Sequence, residues 1–127
     1  MIVFDASASV SALLTDGAAR NVLAFEQVHV PHLVDSEVAS ALRRQVEMRD
    51  LDSSDAWRAL DTWRRLGLTR HPTYTMLERI WELRDNISAY DASYVALAEH
   101  LGCALITADG RLGRAPTIRC PVTIIPR

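Results

Sequence analysis

Short apolar runs rich in Val and Ile recur along the chain at Ile2–Phe4, Val28–Val30, Ala104–Thr107 and Val122–Ile125, with a weaker one near Leu68. Their length and β-branched content predict buried strands. Between them the apolar positions change to helical spacing. From Ser36 they fall at Val38, Ala39, Leu42 and Val46, and from Trp57 at Leu60, Trp63 and Leu66. The turn-like R-D-L-D-S-S joins these two stretches, which predicts a helical hairpin. Near the C-terminus Tyr90, Tyr94, Leu97 and Leu101 form another stripe, stopped by Gly102. Strands alternating with helices predict one α/β domain over residues 1–127, with a largely parallel central sheet of about five strands flanked by helices.

Helix starts are marked by capping-box spacing at Asp52 with Asp55, Thr75 with Glu78, and Ser88 with Asp91. Trp57, Trp63 and Trp81 stand at helical positions expected to pack in the core. No repeat or low-complexity tract interrupts the pattern. No apolar run approaches the roughly 18 residues of a membrane helix, and M-I-V-F-D does not read as a signal peptide. A cytoplasmic protein without membrane contact is the expectation.

Composition adds little until the charges are separated. Apolar residues make up 49% and charged ones 24%, as expected of a globular chain. The net charge of -2 excludes no partner class, but all 14 cations are arginine. Chemistry that needs a lysine ammonium is therefore excluded, whereas bidentate phosphate contacts are well served. Cys103 and Cys120 lack C-x-x-C spacing and read as buried free thiols. His29 and His32 flank Pro31, while His71 and His100 appear isolated, so no histidine site is expected.

The acids carry the chemical signal. Asp5 and Asp109 lie at or just past the ends of predicted strands, and Glu37 and Asp91 lie in the first turns of predicted helices. Each has a local reading as a cap, a dipole partner or a turn residue. Together they fall on one edge, because the carboxyl ends of parallel strands and the starts of helices share that side. Carboxylates converging there repel one another, and a hard divalent cation relieves the repulsion. Oxygen-only donors select magnesium or manganese over zinc or copper.

Four segments resemble the motifs of PIN-domain ribonucleases, and more narrowly of VapC-type toxins of bacterial toxin–antitoxin pairs. They are M-I-V-F-D-A-S-A, S-E-V-A-S-A-L, Y-D-A-S-Y-V-A-L-A and L-I-T-A-D-G-R-L, in that order. The family's acids match Asp5, Glu37, Asp91 and Asp109. The resemblance implies a PIN-like fold and hydrolysis of RNA phosphodiesters with Mg2+, or Mn2+ in its place. Asp5, Asp91 and Asp109 would hold the metal, and Glu37 would orient the attacking water or hold a second ion. Ser7 and Thr107 would support the acids through their hydroxyls. The resemblance also implies a cognate antitoxin, docked along the hairpin from Ser36 to Leu66, and a homodimer.

Cations near this edge are the expected RNA contacts. Arg84, Asn86 and Arg111 are preferred, with Arg43, Arg44 and Arg114 also nearby. Receiver domains and haloacid-dehalogenase-type phosphatases also place acids at strand ends, but they rely on a basic residue, usually lysine, which this chain lacks. No glycine-rich loop follows the first strand, which disfavours a dinucleotide fold. A non-toxin RNA-processing nuclease and a catalytically silent PIN interaction module remain the alternatives. The sequence does not specify which RNA is cut.

Overall fold

The central strand is the first one. In the computed structural model, which describes residues 1–126, β1 (Ile2–Phe4) pairs on one side with β2 (Val28–Pro31) and on the other with β4 (Ala104–Thr107). Outside these lie β3 (Thr69–His71) and β5 (Val122–Ile124), giving the order β3-β2-β1-β4-β5 with every pair parallel. Ile2, Val3 and Phe4 are all buried, so both faces of β1 are covered. A continuous apolar run is what such a strand requires.

Among the described residues seven helices connect the strands: α1 (Ala6–Leu14), α2 (Ala18–Phe25), α3 (Val34–Glu47), α4 (Ser53–Arg65), α5 (Leu77–Glu82), α6 (Ala89–Leu101) and the single turn α7 (Gly110–Gly113). α1 packs against α2, α3 and α4, whereas α5 packs against α6. The run Ala92–Ala98 in α6 is buried throughout, and α6 contacts β1, β2 and β4. Gly102 ends α6 in the left-handed region (φ 67°), a conformation that favours glycine.

The strands and the hairpin occur where the pattern places them, but several local expectations do not hold. Ser88 caps α6 by accepting from the Asp91 backbone N–H. Asp52 stands at the N-cap of α4, but its carboxylate accepts from Ser54 instead of a backbone N–H. Thr75 caps nothing. It lies within a 3-10 turn (Tyr74–Met76) that runs into α5, because Met76 and Ile80 turn inward together.

Of the three tryptophans only Trp63 is in the core; Trp57 and Trp81 are 55% and 68% exposed. Arginines cover their faces instead, Arg64 over Trp57 and Arg84 over Trp81. Tyr90 is also exposed, which shortens the apolar stripe of α6. The two cysteines are unpaired and half-buried, and burial pushes the Cys120 thiol up to about 11.

One detail of the histidine expectation differs, although no histidine cluster that could hold a metal forms among the described residues. His71 is not isolated: its Nε2 lies 2.8 Å from Nδ1 of His29 across the β2–β3 pair. His29 Nε2 is buried without a partner. A buried lone pair costs less than a buried N–H, so His29 carries its proton on Nδ1 and donates it to His71. Parallel pairing brings these two rings together although 42 residues separate them in sequence.

Edge strand β3 is held by one carboxylate. Asp35, in the first turn of α3, accepts two hydrogen bonds from the Arg70 guanidinium at 2.8 Å and one from Trp63 Nε1 at 2.9 Å. Hydrogen bonding to Arg70 holds its pKa below the usual carboxylate range. With the folded pKa lowered, its stabilisation is complete above the unfolded value and is lost as pH falls through the folded one. Asp35→Ala should therefore cost about 1–2 kcal/mol in urea unfolding at pH 7. The gap from the parent should close in acid, below the ordinary aspartate range.

Candidate active site at the β1–β4 seam

Strand order reverses at β1: the chain runs outward through β2 and β3 on one side, and returns through β4 and β5 on the other. The carboxyl ends of adjacent parallel strands on either side of such a reversal form a crevice. Asp5 closes β1, and its backbone N–H donates to Ile106 of β4 at 3.1 Å. Asp109 follows β4 by two residues. The register Phe4↔Ile106 therefore sets both acids at one seam.

Asp5 is 5% exposed and caps α1. Its Oδ1 accepts from the Ala8 N–H at 2.9 Å and the Ser7 hydroxyl at 2.7 Å, while Oδ2 accepts from the Thr107 hydroxyl. Both hydroxyls also work as acceptors. Ser7 Oγ receives the Ala108 N–H at 2.9 Å, and Thr107 Oγ1 receives the Asp109 N–H at 3.0 Å. The start of α1 is thus tied to the loop that carries Asp109. Burial pushes the Asp5 pKa up, its hydrogen bonds oppose this, and Asp91 adds to the rise.

Glu37 reaches the edge from the first turn of α3 and is half-buried. Its Oε1 accepts from the Tyr94 phenol at 2.6 Å. Burial raises its pKa, the Tyr94 bond lowers it, and Asp91 and Asp5 raise it further. Asp91 lies in the first turn of α6, and its pKa is raised by burial and by Asp109, against Ser88 and Arg111. Asp109 caps α7, and its carboxylate accepts from the Arg111 backbone N–H and from the Arg111 guanidinium at 3.1 and 2.8 Å.

All four acids therefore occupy one edge and share its electric field. As the side chains stand, no three of the described His, Cys, Asp and Glu residues are close enough to enclose a metal ion. The donor chemistry nevertheless suits a hard divalent cation. Three carboxylates have raised pKa values, and each has another acid among the causes. The Arg111 guanidinium already serves as a cation beside the fourth.

Tyr94 belongs to the apolar stripe of α6, yet its hydroxyl also reaches the acidic edge, a role that the stripe does not reveal. Its ring is buried at 1% exposure, and a buried phenol requires a hydrogen-bond partner. The available signal was its position three residues after Asp91, on the same helix face. Burial, followed by the Glu37 bond, raises the Tyr94 pKa, so the phenol stays protonated as a donor.

The surrounding cations are differently engaged. Arg84 stacks on Trp81 and donates to the Trp81 carbonyl at 3.0 Å. Asn86 lies beside Thr117 and, with Asp91, Asp109, Arg111 and Arg114, lines a recess of about 310 Å³. Arg43 pairs with Glu47. Arg44 lines a second cavity, which reaches Ser7 and Glu37.

Comparison with known proteins places this arrangement. Residues 2–118 match the model of the PIN domain. The chain is 60% identical to Ribonuclease VapC9 of Mycobacterium tuberculosis over 127 residues, covering all of both chains. Among solved structures, M. tuberculosis VapC20, a Sarcin-Ricin loop cleaving toxin, superposes with a TM-score of 0.68 at 20% identity, over 90% of this chain and 94% of that one. VapBC2 from Rickettsia felis, bound to a promoter DNA fragment, gives 0.72 at 14% identity, over 98% and 99%. At those identities the structural matches establish the fold, and the full-length sequence match narrows the family. The chain belongs to the PIN domain family and, within it, to the VapC-type ribonucleases.

Proposed function

We propose that this protein is a divalent-metal-dependent endoribonuclease, the toxin of a toxin–antitoxin pair. The observation that supports the reading is the electrostatic linkage of the acids along the carboxyl edge of the sheet: Asp5, Glu37 and Asp91 are each pushed toward protonation by burial and by a neighbouring acid, Asp109 among them. Asp5, Asp91 and Asp109 would hold Mg2+, or Mn2+ in its place. Such an ion supplies water activation and charge stabilisation at the phosphate.

The chain's own residues do the positioning. Ser7, Thr107 and the Ala8 N–H fix both oxygens of Asp5, so its carboxylate needs no reorientation when a ligand arrives. Tyr94 holds Oε1 of Glu37 and leaves Oε2 to accept a proton from the attacking water. The water attacks phosphorus in line with the departing 3′-oxygen. Arg111 sits where a guanidinium can pass from Asp109 to a substrate phosphate.

VapB-type partnership is part of the same reading. A groove of about 650 Å³ between α1, α2 and α4, lined by Leu13, Leu23, Leu51 and Leu66, suits the apolar face of an antitoxin segment. It lies on the α4 side of the hairpin. Exposed Tyr74, Leu77 and Trp81 give the opposite helical layer an apolar strip suited to a second copy. Among the described residues no helix is long and apolar enough to cross a membrane, and the proposed site of action is the cytoplasm.

Two measurements test the metal site and Glu37. Purified, partner-free protein should cut RNA with magnesium or manganese and stop with chelator, and Asp91→Asn should abolish cutting. Because the folded pKa of Asp91 is raised, its charge disfavours the fold above that pKa and ceases to do so once it is protonated in acid. Metal-free Asp91→Asn should therefore melt at or above the parent temperature at pH 7. Manganese should raise the parent Tm and leave the variant unmoved. Loss of cutting with an unchanged manganese response would remove Asp91 from the metal site.

Tyr94→Phe takes away the bond that lowers the Glu37 pKa. Its pH–rate profile should rise at higher pH than the parent's, because Glu37 must be ionised to accept a proton. The loss in kcat should be roughly tenfold on the acid limb of the profile and should shrink as pH rises onto the plateau. A uniform loss at every pH would assign Tyr94 a packing role alone.

A further inference from the structure

A groove of about 510 Å³ runs between α1 and α3 and opens on the acid edge. Ser7, Ser11 and Leu14 line it from α1, and Glu37, Ala41 and Arg44 line it from α3. On α3 these positions are i, i+4 and i+7, a single face that looks into the groove. Ser7 and Glu37 belong to the site, so the groove is continuous with it. Arg44 lies two helical turns farther along, roughly 10 Å from Glu37 by helical rise.

Arg44 differs from three of the other cations near the edge, Arg43, Arg84 and Arg111. Arg43 is paired with Glu47, Arg84 is stacked on Trp81, and Arg111 is held by Asp109. Arg44 has no salt bridge among the described residues, yet it is close enough to Glu37 to lower its pKa. Its side chain is exposed, and small side chains, Ser11 and Ala41, leave the space before it open. A guanidinium at the far end of a hydroxyl-lined channel that starts at a phosphodiester-cleaving site matches a polyanionic strand.

We infer that the α1–α3 groove carries the RNA strand on one side of the scissile phosphate, and that Arg44 grips a neighbouring phosphate there. The inference deepens the nuclease reading and rests on it. Arg44 is then a positioning residue: it acts on substrate binding and not on the bond being broken. It gives affinity without reading bases, because phosphates are the same in every sequence.

The test uses the full partner-free chain cutting a single-stranded RNA oligonucleotide, with kcat and KM followed across pH so that any effect of Arg44 on Glu37 shows as a shift of the kcat profile and is separated from substrate binding. Arg44→Gln should raise KM about tenfold, as expected for one charge-assisted contact, with kcat within about twofold. Its salt dependence of kcat/KM should fall by about one phosphate contact. Arg44→Lys keeps the charge but loses the fork, and should lie between the two. Ser40→Phe, placing bulk at the exposed groove wall, should raise KM as well, with an unchanged melting temperature.

Arg65→Gln removes the same charge from the far end of α4, and should match the parent. If Arg44→Gln and Ser40→Phe cut with the parent's KM and salt dependence, the groove does not carry RNA and suits an antitoxin segment or a second copy instead. That outcome leaves the nuclease reading intact. A folded parent that neither cuts nor binds RNA with either metal overturns both.

Discussion

Burial of one acidic side chain, Asp5, at the β1–β4 seam governs the rest of the site. A carboxylate removed from water is tolerated when its oxygens are satisfied by donors. Asp5 receives three: a backbone N–H from its own helix, a hydroxyl two residues on, and a hydroxyl from the neighbouring strand. The last of these ties together segments about a hundred residues apart. Because Ser7 and Thr107 in turn accept N–H groups from Ala108 and Asp109, the same network shapes the loop that presents the second acid. The geometry of the acidic edge thus follows from satisfying a single buried charge.

The other two acids are delivered by helices whose starts are independently secured. Ser88 caps α6 and so fixes the turn that holds Asp91. α3 is anchored at its first turn by Asp35, through Arg70 and Trp63. The Tyr94–Glu37 bond then joins α3 to α6 across the edge. Strain between like charges is held in this frame, and a cation at the proposed metal site would relieve it. Under the proposed function, stability and activity oppose each other at these positions, as is usual where a site is built from groups that repel.

Sequence patterning was informative wherever the relevant partner lies within one element. The strand ends at Asp5 and before Asp109, the Ser88 cap, the Gly102 stop and the α3–α4 hairpin all follow from spacing of a few residues. The family motifs added the grouping of the four acids. Where spacing misled, it had counted a face as buried without knowing what lay opposite. Trp57 and Trp81 repeat at helical positions, but their side of the helix meets solvent and an arginine. Thr75 had a cap's spacing, but the inward pull of Met76 and Ile80 formed a 3-10 turn there.

By itself, then, the sequence determined the order of the strands, the approximate places of α3, α4 and α6 and the edge on which the acids fall, since those depend on local periodicity and backbone preference. The tertiary structure alone decided that β4 lies beside β1, that Tyr94 turns its hydroxyl to Glu37, and that His29 meets His71. It also decided that Arg43 and Arg111 are engaged by carboxylates while Arg44 faces an open groove. These are choices between partners far apart in the chain. They are settled when apolar faces are buried together and each enclosed polar group finds a partner within reach, a condition that no local window of the sequence contains.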